Sequence, residues 1–245
     1  SQFNLRDFFK TNNITLRRAF LQSADLAYAN LSEADLNNAD LRHADLRHAD
    51  LRKAYLFYAN LNNANLLDAD LRHADLGYAK LIEAKLIEAN LSNADLRNAY
   101  LYYADLRNAN LSNADLSNAD LRDAKLFYAN LSNADLRDAD LNNADLRDAN
   151  LSNADLRDAK LFYANLFYAD LRDADLNNAD LRDANLNGIL INKNTNFNGK
   201  SLHNIKCGYI RFKIDDGTIT NITESESIKD KFKELGAKEE NISFA

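Results

Sequence analysis

Four histidines, one cysteine and a row of evenly spaced aspartates are the residues of this sequence whose types could do chemistry. Catalysis asks for unlike groups held together: a nucleophile beside a base, or three to four ligands around a metal. Cys207 is the lone thiol and has no histidine at a matching interval, so it reads as a small buried apolar residue and not as a nucleophile. There is no glycine-rich phosphate loop and no nucleophile elbow. Asp75, Asp95, Asp115, Asp135, Asp155 and Asp175 recur at intervals of twenty. That regularity belongs to the scaffold before it belongs to any site.

The scaffold is legible as a repeat. From Leu16 to Leu186 every fifth residue is Leu, 35 positions in all, and from Ala19 to Ala184 every fifth is Ala, 34 positions. A period of five fits neither a helical face nor a long strand. Ala and the Leu two places on, as in Ala24-Asp25-Leu26, can share one side of a very short extended segment, with Asp or Asn between them pointing out. The two polar residues after each Leu must then turn the chain. An open arrangement would expose a Leu and an Ala in every unit, whereas a coil closed on itself buries both. Each buried Leu contributes about 1.5 to 3 kcal/mol, which offsets the ordering cost of its unit. Leu36, Leu56, Leu76, Leu96, Leu116, Leu136, Leu156 and Leu176 are expected along one line of such a core.

The unit A(D/N)LXX, as in Ala34-Asp35-Leu36-Asn37-Asn38 and Ala129-Asn130-Leu131-Ser132-Asn133, resembles that of the pentapeptide-repeat family over about 70% of the chain. The resemblance implies an all-β, right-handed quadrilateral parallel β-helix with four units per coil, and a protein that binds and does not catalyse. On that footing residues 14–188 make nearly nine coils, a rod of roughly 40 Å at the usual strand spacing. The register degrades past Gly188 and resumes, one residue out of step, through Thr195-Asn196-Phe197 and Ile205-Lys206-Cys207. The expected division is a short helical N-terminal cap over 1–13 bearing Phe3, Leu5, Phe8 and Phe9, the solenoid over 14–208, and a small α+β C-terminal cap over 209–245 that doubles as a homodimer contact. Within that cap the pattern predicts strands over 209–214, 218–222 and 241–244. It also predicts a helix with Thr223 and Glu226 at capping-box spacing, stopping at Gly236.

On four-sided coils His43 and His48 fall on adjacent sides and His73 on another, so no metal and no cofactor are expected. The six aspartates form an acidic ladder on one side, read either as charge with a purpose or as short side chains that bond turn backbone. Leu67, Ile82, Ile87, Tyr102, Tyr103, Phe127, Phe162 and Phe167 gather on two neighbouring sides as a candidate apolar partner patch. Ser92, Ser112, Ser132 and Ser152, each followed by Asn, make a polar ladder. Residues 121–150 and 156–185 match at all but two of thirty positions with an offset of 35. That offset is no multiple of a four-unit coil, so the copies face different ways.

The formal net charge is -7, and residues 14–188 hold 28 Asp and Glu against 19 Lys and Arg. Such a surface repels nucleic acid and anionic membranes, so neither direct nucleic-acid binding nor membrane association is expected. A lone cysteine asks for no oxidising compartment, which favours a cytoplasmic setting. The expected function is a rigid protein-interaction scaffold with an unidentified protein partner. The alternative is an acidic DNA mimic directed at DNA gyrase or another topoisomerase, as in the quinolone-resistance members of the family.

Overall fold

The computed structural model describes residues 15–198, 202–238 and 242–245. The expected N-terminal cap lies outside the described residues. Parallel bridges join each Asp or Asn slot to the residue twenty further on, from Thr15 with Asp35 to Asp170 with Leu190. Four such lines run side by side, through Asp75 and Asp95, Lys80 and Tyr100, Lys85 and Asp105, and Asn90 and Asn110. Four pentapeptide units therefore close one coil of a β-helical solenoid, and successive coils stack in register.

One unit accounts for its own backbone. Leu96 N–H donates to the Asp115 carbonyl of the next coil at 2.7 Å and Asn98 N–H to the Ser117 carbonyl at 3.0 Å; Ala99 N–H closes the turn onto Leu96 at 3.0 Å; Tyr100 N–H reaches back to Ala79 at 2.9 Å. The fifth donor, Arg97 N–H, bonds the Asp95 side chain at 3.0 Å. A unit of this kind, with Asp or Asn between Ala and Leu, thus satisfies its donors without a long strand, which is why so short an extended segment persists. The second turn residue sits in the left-handed region throughout, with φ of 58° at Asn98 and 59° at Asn118. A Cβ is costly there, and Asn and Asp tolerate it best. No β-branched residue takes that position in the tract.

Inside, Leu and Ala line the coil. From Leu26 to Leu186 no repeat Leu is more than 2% exposed, and Leu36, Leu56, Leu76, Leu96, Leu116, Leu136, Leu156 and Leu176 stack along one inner line. The single core runs the whole tract. Past Gly188 the bridges lengthen by one residue, Asp175 to Asn196 and Asn185 to Lys206, so the expected slip is present. Thr195 is buried in the loosened coil because its hydroxyl donates to the Leu171 carbonyl at 2.9 Å.

The C-terminal elements are β1 (Leu190–Asn192), β2 (Leu202–Ile205), β3 (Ile210–Lys213), β4 (Ile219–Ile222), α1 (Ser225–Glu234) and β5 (Ile242–Phe244). One sheet has the order β1-β3-β4, with β3 parallel to β1 and antiparallel to β4; β2 and β5 form a second, parallel pair. On α1, Ile228 and Phe232 are buried, and Phe232 meets Phe197 edge-on at 5.0 Å. The capping box expected from Thr223 and Glu226 does not form: Glu224 holds the N-cap position, with no side-chain bond to the helix. Gly236 ends the helical stretch at φ +96°, where any Cβ would press on the Asn198 backbone. Among the described residues no helix is long and apolar enough to cross a membrane.

Candidate functional surface

With the core closed, the side chains that the repeat tract offers to a partner lie in three outward slots: the bridge residue between Ala and Leu, and the first and second turn residues. The bridge slot is structural first. Its Asp or Asn carbonyl accepts the first turn N–H, as Asn30 does for Ser32 at 3.1 Å and Asp175 for Asn177 at 3.0 Å. Tyr55, Lys80 and Lys160 occupy the slot without being able to do this. At those places an Asn one coil earlier substitutes: Asn37 accepts Phe57 N–H at 2.9 Å, Asn62 accepts Ile82 N–H at 3.0 Å, and Asn142 accepts Phe162 N–H at 2.9 Å.

All six ladder aspartates make this turn bond, from Asp75 to Gly77 N–H at 3.1 Å, through Asp115 to Ser117 N–H, to Asp175. The ladder is also threaded with cations. Asp95, Asp135 and Asp155 each hold the guanidinium two residues on, and Arg97, Arg137 and Arg157 reach on to Asp115, Asp155 and Asp175 at 3.7, 3.7 and 3.9 Å. For Asp135 the Arg137 side-chain bonds hold the carboxyl below its usual range. For Asp95 burial pushes upward, and the side-chain and backbone bonds from Arg97 outweigh it, again leaving the carboxyl below its usual range. The side is an alternating ion ladder, not a bare row of charge.

The turn slots divide the apolar residues. Leu67, Ile82, Ile87, Tyr102, Phe127, Phe162 and Phe167 occupy the first turn position, where the structure places them half-buried along the neighbouring coils; Tyr103, in the second, is exposed. Guanidiniums cover three of the rings, Arg122 over Tyr102 at 5.0 Å, Arg147 over Phe127 at 4.8 Å and Arg182 over Phe162 at 5.4 Å. The exposed rings are mostly tyrosines, and sequence reasoning passed over Tyr28, Tyr55, Tyr58 and Tyr128 among them. Tyr28, Tyr58, Tyr128 and Tyr163, in the second turn slot, and Tyr55, in the bridge slot, are more than half exposed. The signal was the order within the pairs: in Phe-Tyr the Phe always precedes, and of the two only the Tyr, in the second turn position, projects.

One aromatic group differs from the rest. Tyr58 and Tyr78 stack at 5.0 Å, and Phe57 meets them edge-on at 4.6 and 5.7 Å. Gly77 makes the room, since a Cβ there would lie 2.9 Å from the Phe57 ring. Among the described residues no guanidinium lies over this group. The polar ladder is a neutral contrast: Asn130 and Asn150 each donate to the Asn one coil below at 3.3 and 3.2 Å, and Ser152 Oγ donates to Asn150 at 2.7 Å. Among the described residues no three His, Cys, Asp or Glu are placed to hold a metal. His48 instead stacks on Tyr28 at 4.6 Å. Burial pushes the Cys207 thiol up to about 12, which leaves it protonated and inert at neutral pH.

The family model described as Pentapeptide repeats (8 copies) matches residues 15–52, 49–86, 89–126, 124–162 and 159–189. No curated protein matches the chain. Among solved structures, the chain is similar to HetL, a pentapeptide repeat protein involved in heterocyst differentiation regulation in the cyanobacterium Nostoc sp. strain PCC 7120. The two are 35% identical over 88% of this chain and 97% of HetL, with a TM-score of 0.36. A pentapeptide repeat protein of the Arabidopsis thaliana thylakoid lumen is 33% identical over 38% of this chain and 66% of its own, with a TM-score of 0.38. The plasmid-mediated fluoroquinolone resistance protein QnrB1 is 20% identical over 80% of this chain and 91% of its own, with a TM-score of 0.41. The unbroken five-residue register, the four bridge lines and the family match together place this chain in the pentapeptide-repeat family.

Proposed function

We propose that the protein is a non-catalytic, rigid scaffold that docks a protein partner on an exposed aromatic surface centred on Phe57, Tyr58 and Tyr78. On this reading the rod is the right-handed, four-sided β-helix of its family, the hand being the one that parallel crossovers adopt almost without exception. The C-terminal elements then act as its cap, and a cytoplasmic setting accords with the single cysteine. The observation that carries the reading is the ring cluster itself. Tyrosines are the anchors that protein interfaces favour, and these are held in place by Gly77 before any partner arrives.

Replacing Tyr58 and Tyr78 by Asn tests it, because Asn tolerates the left-handed turn position and leaves the rod intact. Immobilised parent protein should capture a defined partner from lysate of the source organism, and the double variant, melting as the parent does, should not. Equal capture by both proteins would sink the docking surface. The alternative, a gyrase-directed DNA mimic, receives less support from the surface, because Arg97, Arg137 and Arg157 interrupt the acidic ladder it would rely on. It predicts that the parent alters supercoiling by a cognate gyrase and that changing Asp95, Asp115, Asp135 and Asp155 to Asn abolishes the effect.

A further inference from the structure

The line of bridges through Asn90 and Asn110 continues through Asp170 and Leu190 into β1, then β3, then β4, where the sheet stops. Among the described residues nothing pairs with the outer side of β4. Ile214 N–H bonds the Thr218 carbonyl at 3.0 Å, and the β3–β4 register pairs Phe212 with Thr220 and Ile210 with Ile222. The alternation of an antiparallel ladder then turns the backbone groups of Thr218, Thr220 and Ile222 toward β3 and those of Ile219 and Asn221 outward. Two donors and two acceptors stand on an exposed edge, with the Ile219 side chain half exposed beside them. An edge of this kind is a template for another strand.

The charge at its ends selects the occupant. Asp216 lies before β4 and Glu224 after it; Asp216 bonds Thr218 N–H at 2.8 Å, and neither carboxylate has a cation partner among the described residues. Alongside runs an open groove of about 470 Å³, whose α1 wall presents Ser227, Asp230, Lys231 and Glu234; Lys231 pairs with Glu234 and Lys233 with Asp230, so here the carboxylates left without a cation among the described residues are those at the ends of β4. A second copy of this chain is a poor occupant. Its β4 in the antiparallel register that overlaps most fully, centred on Thr220, would set Asp216 of each chain directly against Glu224 of the other, twice over, and like charges in that position destabilise.

We infer that the free edge of β4 receives an extended segment of a partner protein, added as an antiparallel strand, with Lys or Arg at both ends to meet Asp216 and Glu224. The inference rests on the scaffold reading only for the partner's existence, and it uses a surface that shares no residue with the Tyr58 and Tyr78 cluster.

The probe is a labelled nine-residue peptide of alternating Thr and Val with Lys at each end, compared with the same peptide ending in Glu, titrated into the full chain and read by anisotropy. The Lys peptide is expected to bind saturably, at least tenfold tighter than the Glu peptide, and to shift the Ile219 and Asn221 amide resonances. Asn221→Pro deletes an outward N–H that serves no bond to β3, so it should leave melting unchanged and weaken the Lys peptide at least tenfold. Asp216→Asn with Glu224→Gln, which keeps the Asp216 turn bond, should remove the preference between the peptides. Equal binding of both peptides by the parent, unchanged binding after Asn221→Pro, or no binding at all would overturn the inference. So would a parent dimer that Asn221→Pro converts to monomer, since a second copy would then own the edge. Peptide failure with tyrosine-dependent capture intact leaves the scaffold standing; the reverse result removes the tyrosine surface and keeps the edge.

Discussion

Asn142 is a half-exposed turn residue whose loss would ordinarily matter little, yet its carbonyl is the acceptor for Phe162 N–H, which Lys160 in the bridge slot cannot serve. Asn142→Ala should therefore leave a partly buried donor unmatched. A single such bond is worth about 1 kcal/mol, and in a chain of this length that is a fall of about 2 to 4 °C in the melting midpoint. The partner mutation makes the test sharp. Lys160→Asn returns the ordinary arrangement, as Asn165 shows by accepting Phe167 N–H at 3.2 Å, and gives up only a surface ion pair to Asp140 at 3.7 Å. In the Lys160→Asn background Asn142→Ala should be close to silent, a coupling of about 1 kcal/mol across the cycle. Melting at neutral pH measures the energies, and amide exchange at Phe162 reports the bond itself, faster in Asn142→Ala and restored in the double variant. Equal losses in both backgrounds, or unchanged exchange at Phe162, would refute the borrowed-acceptor account.

Leu116→Asp puts a charge without a partner into a core line where Leu116 has no exposure, and should cost about 3 to 5 kcal/mol; a variant that melts with the parent would deny the inward Leu. Asp40, Asp50 and Asp135 are held low chiefly by their arginines, and Asp70, Asp95 and Asp120 are low in spite of burial. Depressed folded values contribute stability above the unfolded pKa, near 3.9, and lose it as pH falls through the lower folded values, so melting between pH 7 and pH 3 should drop at the acid end; a rise there would mean that stacked carboxylates chiefly repel. Asn118→Val forces a β-branched residue to φ +59° and should cost about 1 to 3 kcal/mol by denaturant titration, while Asn118→Gly should cost much less.

The fold was written in the sequence because one constraint repeats without interruption: from Leu26 on, every Leu and Ala of the register is inside, and the slip after Gly188 shows in both the spelling and the bridges. The bond made by the Asx side chain was also within reach, since Asn and Asp share the slot and only the carbonyl is common to them. What escaped was direction at the turns. The first and second turn residues are equally polar in the sequence, and nothing in their spacing says that an apolar side chain in the first lies back on the rod while an aromatic one in the second, in the left-handed region, stands out. Leu67 and Ile82 were therefore read as more exposed than they are, and Tyr58 and Tyr78 were missed. The capping box at Thr223 and Glu226 failed for a related reason, because the backbone turns into the helix one residue later than the spacing suggests.

Because a coil closes in four units while the core accepts any whole number of them, the tract behaves as an indexing dial. Adding or removing one pentapeptide leaves every Leu and Ala inside and the coil-to-coil backbone bonds made, wherever no turn borrows an Asn acceptor across the altered coil, yet turns all that follows by a quarter revolution against all that precedes. The near-copy at residues 156–185 stands seven units beyond residues 121–150, one full turn and three quarters, so the same letters face a new direction. Such a molecule can re-aim the Tyr58 and Tyr78 cluster relative to the β4 edge in four discrete settings, through insertions that its interior does not register.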